Sequence, residues 1–375
     1  MFDVVIVGAG IAGASLAFEL AGNVRVLLVE AESQPGLHST GRSAAMFMES
    51  YGPPQVRALT RASRAFYERP PAGFSDTPIL SPRGVLYVAW QGQEAALEAL
   101  WAQLSSSGSP VERVDAAEAL ARLPVLRAEG LLGAIAEPDA MDIDVHALHQ
   151  GYLRGARRSG AELRLDAELQ SAQHEGGEWQ LHFADGRSAT ARQLVNAAGA
   201  WADVVAARCG VAPLGLQPRR RSAFTFDPPA DLDHRTWPTV CTVDESWYFK
   251  PDAGQLLGSP ANADDTDPHD VQPEELDIAL GIDGIQRHTS LQIRRPRRTW
   301  AGLRTFAPDG ELVIGFDATA PDFFWLAGQG GYGIQSAAGA AALGAAQLQR
   351  QAMPEVLVGF GVDPPMVTPT RFAGR

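Results

Sequence analysis

The ten residues Val4-Val5-Ile6-Val7-Gly8-Ala9-Gly10-Ile11-Ala12-Gly13 constrain this chain more than any other stretch. An apolar strand runs into Gly-x-Gly-x-x-Gly, an alanine-rich helix follows, and a second apolar strand, Val24 to Val29, ends on Glu30. That order predicts a strand–helix–strand unit of a parallel, doubly wound sheet. Gly8 permits the tight turn, Gly10 lets the backbone approach a pyrophosphate, and Gly13 lets helix and strand pack closely. The helix N-terminus, with Ile11 and Ala12 in its first turn, offers free N–H groups and a positive dipole end to that anion. Glu30, 22 positions after Gly8 and followed by Ala31, is spaced to accept hydrogen bonds from an adenosine ribose, and an acid there disfavours a 2′-phosphate. The three glycines alone would fit a ligand-free turn, but the complete order of strand, helix, strand and acid points to a bound dinucleotide.

At 375 residues and 45% hydrophobic, the chain can bury a large core and exceeds one typical domain. Its formal charge of −13, from 31 basic and 44 acidic residues, argues against nucleic acid or anionic lipid as the main partner. Clustered arginines in such an acidic chain are therefore informative. Cys209 and Cys241 are the only cysteines and form no Cys-x-x-Cys, which excludes a dithiol centre and a cysteine-rich metal site; two reduced thiols are expected, and no metal. The chain opens directly in its first strand, with no charged leader before it. The apolar stretch from Phe323 to Leu348 is interrupted by glycines and reads as strand, turn and packed helix, so no integral membrane segment and a cytoplasmic protein are expected.

Helices are expected from Pro54 to Tyr67, Gln93 to Leu104, Ala116 to Arg122, and Asp144 to Gly160 with Asp144 as N-cap. Val85 to Ala89 reads as a strand, and three short β signals follow at 168–171, 179–183 and 188–191. Gln193 to Ala202 is a further strand meeting a small-residue turn. Gln217 to Trp300 reads as mostly β with polar loops at 227–233 and 261–273, and Phe323 to Gly328 as a last strand before a helix of small residues. The dinucleotide pieces thus lie at the start, middle and end, and the rest must form a second, interleaved domain.

Several blocks together resemble the D-amino acid oxidase superfamily of FAD-dependent amine oxidoreductases. They are Gly8–Gly13 with Glu30, Ser39-Thr40-Gly41-Arg42-Ser43, Asn196-Ala197-Ala198-Gly199-Ala200-Trp201, and Gly330-Gly331-Tyr332-Gly333-Ile334-Gln335. Within that superfamily the chain is most similar to the D-arginine dehydrogenase type, through His38 to Ala45, Ala147 to Gly155, Leu216 to Phe224 and Trp300 to Arg304. The resemblance implies a Rossmann-like α/β FAD domain (1–78, 139–215, 305–375) interleaved with a mostly antiparallel β-sheet substrate domain (79–138, 216–304). It places FAD against the blocks named, including Ala44, Ala45, Met46, Glu168 and Leu169. Covalent relatives attach flavin through a cysteine near 300–308. Neither cysteine lies there, so noncovalent FAD is implied.

The resemblance and the residues themselves together suggest roles, the resemblance those of Arg304, Tyr248, Met46 and Val85. Arg304 and Tyr248 would hold a substrate carboxylate, which a guanidinium grips bidentately at any working pH. Of Arg219, Arg220 and Arg221, strand alternation would aim one inward, and Arg220 is the one expected; the alternative is a solvated basic edge. Tyr51, in a Tyr-Gly-Pro loop, would close over substrate or simply pack. Gln335 would donate to flavin or substrate, or cap its helix, and Gly331 belongs to the turn facing the flavin. Met46 stands where the D-arginine dehydrogenase type has histidine, and Val85 where it has the glutamate that pairs with a cationic side chain. An apolar pocket is therefore expected, favouring D-amino acids with apolar or uncharged side chains over D-arginine. The implied reaction is hydride transfer from Cα to the flavin, with the imine hydrolysing to a 2-keto acid and ammonia. Dioxygen, a quinone or another acceptor would reoxidise the flavin. A 2-hydroxy acid or N-alkyl amino acid substrate, and a non-catalytic flavin-binding protein, are the alternatives.

Overall fold

A computed structural model describes residues 1–373. Strand Phe2–Val7 sits at the middle of an eight-stranded sheet, between Val26–Val29 and Ser188–Asn196, both parallel to it. Phe323–Ala327 lies parallel to the far end of Ser188–Asn196, and Glu162–Arg164 extends the other edge beside Val26–Val29. Val4 to Val7 are all buried, as expected of a strand covered on both faces. Helix Ile11–Leu20 makes the crossover between the first two strands and packs against helices Val145–Arg158 and Ala337–Leu348. Asp144 caps the former, accepting the Ala147 N–H at 2.8 Å.

The second sheet has ten strands and is antiparallel except where Thr239–Thr242 runs parallel to Val85–Trp90. Its central ladder joins Arg298–Phe306 to Gln217–Phe226 over nine residue pairs, Gln217↔Phe306 to Thr225↔Arg298. Leu131–Glu137 pairs with Val85–Trp90 on the other flank, and a small third sheet of Met46–Phe47, Met141–Ile143 and Leu80–Pro82 fills the corner between the two large ones. The α/β class with one parallel-cored and one mostly antiparallel sheet is the one expected.

Two expectations about elements fail. The β signals at 188–191 and 193–196 are one strand, Ser188–Asn196. The stretch from 217 to 300, read as mostly β, contains a 14-residue helix, Glu275–His288. Gly281 and Gly284 lower its helix propensity, and Leu276 and Leu280 are exposed at 64% and 56%, which blurs its periodicity. Both glycines serve packing: a Cβ on Gly284 would lie 2.6 Å from the Trp247 ring.

Candidate active site

A long cleft starts at the glycine turn and ends between the two large sheets. Its lining runs from Gly10, Ile11 and Ala12, past Ser39, Thr40 and Arg42 to Met46, and on to Gly328–Gly331 and Gly333–Gln335, with Tyr332 outside it. The glycine turn is built as the motif requires. A Cβ on Gly13 would lie 1.9 Å from the Gly8 carbonyl oxygen, and one on Gly8, where φ is +103°, 2.5 Å from that of Ala197. The turn is held from both sides: the Ala9 N–H donates to Glu30 Oε2 at 2.9 Å, and His149 Nε2 donates to the Ala9 carbonyl at 2.8 Å. Burial pushes the His149 pKa down, so the neutral ring is the form present. Burial likewise raises the Glu30 pKa, against the pull of the Ala9, Glu32 and Ala31 N–H groups. Thr40 Oγ1 accepts the Ile11 N–H at 3.0 Å, which brings the 39–46 segment alongside the helix N-terminus.

The remaining cofactor expectations divide. Gly199, Gly330, Gly331, Gly333, Ile334 and Gln335 line the cleft; Ala198 and Trp201 are next to lining residues in sequence or space, the Trp201 ring tilted against that of His38 at 4.7 Å. Ser39 Oγ donates to the Leu303 carbonyl at 2.6 Å. Ser43, Ala44 and Ala45 line the cleft, and Gly41 N–H turns back on the Gly36 carbonyl. The Arg42 guanidinium ties the 39–46 segment to the second sheet and the 270–271 loop, donating to the carbonyls of Val271 and Ala301 and to Asp270. Glu168 and Leu169 lie away from the cleft lining; Arg208 Nη1 takes both the Glu168 carboxylate, at 2.8 Å, and the Leu169 carbonyl, at 2.6 Å.

At the far end the structure brings together Arg304, Tyr248, Tyr51 and Gln335. Arg304 Nη2 donates to the Tyr51 hydroxyl at 3.2 Å, and the Tyr51 ring meets Tyr332 edge-on at 5.0 Å. Gln335 is 3% exposed and fully committed: its amide nitrogen donates to Thr60 Oγ1 and the Tyr51 carbonyl, and its oxygen accepts the Met48 N–H. It ties the Tyr51 loop to the last helix rather than presenting free donors.

The arginine expected beside Arg304 is displaced by one residue. Arg219 pairs with Arg304 across the ladder and Arg221 with Gly302, so Arg219, Arg221 and Arg304 share a face and Arg220 takes the other. Arg220 makes ion pairs with Asp264, Glu274 and Asp277, outside the cleft. Arg221 lines it, its Nε donating to the Asn262 carbonyl at 2.5 Å. Burial and the neighbouring Arg304 charge push the Arg221 pKa down. Burial also acts to lower that of Arg304, but the Tyr51 and Tyr248 oxygens outweigh it and the net shift is upward. Among the described residues neither Arg221 nor Arg304 has a carboxylate in ion-pair range, while the cleft's other two cations do: Lys250 with Asp142 at 2.6 Å, Arg42 with Asp270.

Val85 is also misplaced by the sequence reading. It is 1% exposed and outside the lining; Tyr87, two residues on and on the same strand face, is the side chain that reaches the cleft. Met46 does line it, accepting from the Thr239 hydroxyl at sulfur. Met46, Met48, Tyr51, Tyr87 and Cys241 lie against one apolar cluster and form that wall of the cleft. Sequence reasoning missed Tyr87, Arg221, Thr239, Cys241, Glu245 and Lys250. Glu245, exposed on a turn with φ +52°, is the acid of the lining among the described residues, so the pocket is not wholly apolar. Burial, then Glu245, raises the Cys241 thiol pKa to about 12, which leaves it protonated and a poor nucleophile.

A parallel sheet with a glycine turn at its first helix, opening on a cleft that reaches into a second sheet, is the arrangement of dinucleotide-dependent redox enzymes. The chain belongs to the FAD-dependent oxidoreductase family (DAO), whose model matches residues 3–347. Glycine oxidase from Bacillus licheniformis is 25% identical, over 84% of each chain. L-2-hydroxyglutarate dehydrogenase from Salmonella houtenae is 26% identical over 57% of this chain, which spans about half (51%) of that protein's length. The structure of glycine oxidase from Geobacillus kaustophilus superposes with a TM-score of 0.82 at 24% identity, covering 96% of this chain and 98% of that one. The glycine cradle and the continuous cleft fit FAD. No described helix is long and apolar enough to cross a membrane.

Proposed function

We propose that this protein binds FAD noncovalently and oxidatively deaminates D-amino acids with uncharged side chains. One observation carries the reading: two guanidiniums, Arg221 and Arg304, face one cleft with tyrosine hydroxyls beside them and, among the described residues, no acid within ion-pair range of either. Desolvated cations without a counter-ion are costly, and a ligand carboxylate supplies the missing charge. Residues 1–78, 139–215 and 305–375 would hold the cofactor, and 79–138 with 216–304 the substrate. When bound, FAD supplies a two-electron acceptor. The chain's own residues do the rest. Arg304, Arg221 and Tyr248 fix the carboxylate, Tyr51 covers it from the loop side, and the wall of Met46, Met48, Tyr87 and Cys241 receives the side chain. That three-point placement sets which face of Cα is presented for oxidation. The D configuration and the amine are supported by the blocks at 38–45, 216–224 and 300–304. The glycine oxidases among the relatives support amino acid oxidation.

A second reading has its own support. The two arginines could each take one carboxylate of a 2-hydroxy diacid, and an L-2-hydroxyglutarate dehydrogenase is among the relatives. Mixing the yellow protein anaerobically with D- and L-amino acids and 2-hydroxy acids decides between them. Bleaching of the flavin absorbance by uncharged D-amino acids, but not their L forms, is expected. Bleaching only by hydroxy diacids would replace the first reading with the second.

A further inference from the structure

We propose that Glu137 is a positioning residue, which through Ser50 holds the loop that lays Tyr51 against Arg304. Glu137 ends strand Leu131–Glu137, is 2% exposed, and stands directly across the ladder from Val85. Its Oε2 accepts the Ser50 hydroxyl at 2.6 Å, and Ser50 is itself fully buried. Among the described residues no cation pairs with Glu137. Burial raises its pKa, the Ser50 hydroxyl and N–H lower it, and Glu49 and Asp139 add repulsion. Such a carboxylate opposes folding, and an apolar residue like its neighbours Ile135 and Ala136 would serve the core better. What Glu137 does make is the contact to the loop.

That loop is pinned at alternate points. Gln335 takes the Met48 N–H and the Tyr51 carbonyl, and Glu137 takes Ser50 between them. Gln335 comes from the turn before the last helix, Glu137 from the ten-stranded sheet. The Tyr51 hydroxyl is thereby set 3.2 Å from the Arg304 guanidinium. The consequence for ligand binding rests on the reading of Arg304 and Tyr51 as a carboxylate site. The positioning itself does not.

The test uses the FAD-loaded protein and the variants Ser50→Ala, Glu137→Gln and Glu137→Leu. Amide hydrogen exchange over 47–53 reads the loop with no ligand. Losing one hydrogen bond worth about 1 kcal/mol should speed it roughly 5-fold in Ser50→Ala and Glu137→Leu. Glu137→Gln keeps an acceptor for Ser50 and should exchange like the wild type. Propanoate, a carboxylate with nothing to oxidise at Cα, is titrated against the flavin spectrum. Its Kd should rise about 5-fold in the same two variants and stay unchanged in Glu137→Gln. If Glu137→Leu does not fold, Ser50→Ala carries both measurements. Unchanged exchange in Ser50→Ala, or Glu137→Gln behaving as Ser50→Ala does, overturns the proposal. Faster exchange in Ser50→Ala, with a wild type that binds no propanoate, upholds the positioning and refutes the carboxylate site.

Discussion

Arg220 and Arg221 are neighbours in sequence, and replacing each with methionine should have opposite consequences. Arg221 faces the cleft beside Arg304 with no carboxylate in ion-pair range among the described residues, and burial, with the Arg304 charge, pulls its pKa down. Arg221→Met keeps much of the aliphatic stem and removes a disfavoured charge, so the apoprotein should melt at a higher temperature. It also removes one charge-assisted grip on a carboxylate, worth about 1.5–3 kcal/mol, so propanoate binding should weaken roughly 10- to 150-fold. Arg220→Met leaves Asp277, which is 7% exposed, with the neutral donors Ser222 and Asn262 but no cation, and loses Asp264 and Glu274 as partners. Leaving a buried acid unpaired costs about 3 kcal/mol or more, so this variant should melt lower and bind propanoate as the wild type does. Thermal melts of the apoproteins and propanoate titrations of the flavin-loaded forms measure both axes. Equal loss of binding in the two variants, or a lower melting temperature for Arg221→Met, would refute the assignment of Arg221 to the cleft.

Three further outcomes follow from the same geometry. A Cβ on Gly331 would lie 1.9 Å from Arg304 Nη2, so Gly331→Ala should displace the guanidinium and weaken propanoate by about 10-fold or more, measured by titration of the flavin-loaded form. Glu137 has a folded-state pKa above its unfolded value near 4.5, so its stability contribution is full below that value and is lost as pH rises through the folded value. Glu137→Gln lacks that loss, and its melting temperature should gain on the wild type between pH 4 and pH 8; a constant difference would contradict the burial argument. Acid precipitation should release all the flavin to the supernatant, because Cys241 carries a thiol held protonated and Cys209 lies buried in the core beneath the parallel sheet. Yellow pellet would refute noncovalent binding.

What the sequence made legible was what local chemistry dictates. The glycine turn could be read because only glycine fits it. Arg304 and Tyr248 could be read because their surroundings are distinctive, and Tyr51 was offered only by its Tyr-Gly-Pro loop; their lining of one cleft joins three segments far apart in the chain. What stayed hidden was phase. Alternation says that one face of Arg219-Arg220-Arg221 differs from the other, but the inward face is set by pairing with Arg298–Phe306, a partner some eighty residues away. Val85 was placed by the resemblance, and its pattern alone could not correct that: positions 85 and 87 lie on one face of the strand, and which of them reaches the cleft depends on how the strand is set against Leu131–Glu137. Glu245 was hidden for a different reason: a turn residue at positive φ carries no periodic signal.

The charges themselves point to the cleft. With 44 acids against 31 bases, a cation in this chain has no shortage of partners, and Arg220 alone finds three. Arg42 and Lys250 also touch the cleft, but each is answered by an acid, Asp270 and Asp142. Arg221 and Arg304 are not, although the cleft's one acid, Glu245 among the described residues, is near enough to influence the Arg221 charge. Leaving two adjacent guanidiniums unpaired in an acidic protein is a cost that ordinary packing would remove by one substitution on any of the surrounding strands. The arrangement makes physical sense when the counter-charge arrives with the ligand, so that binding energy comes from relieving a repulsion the folded chain already carries.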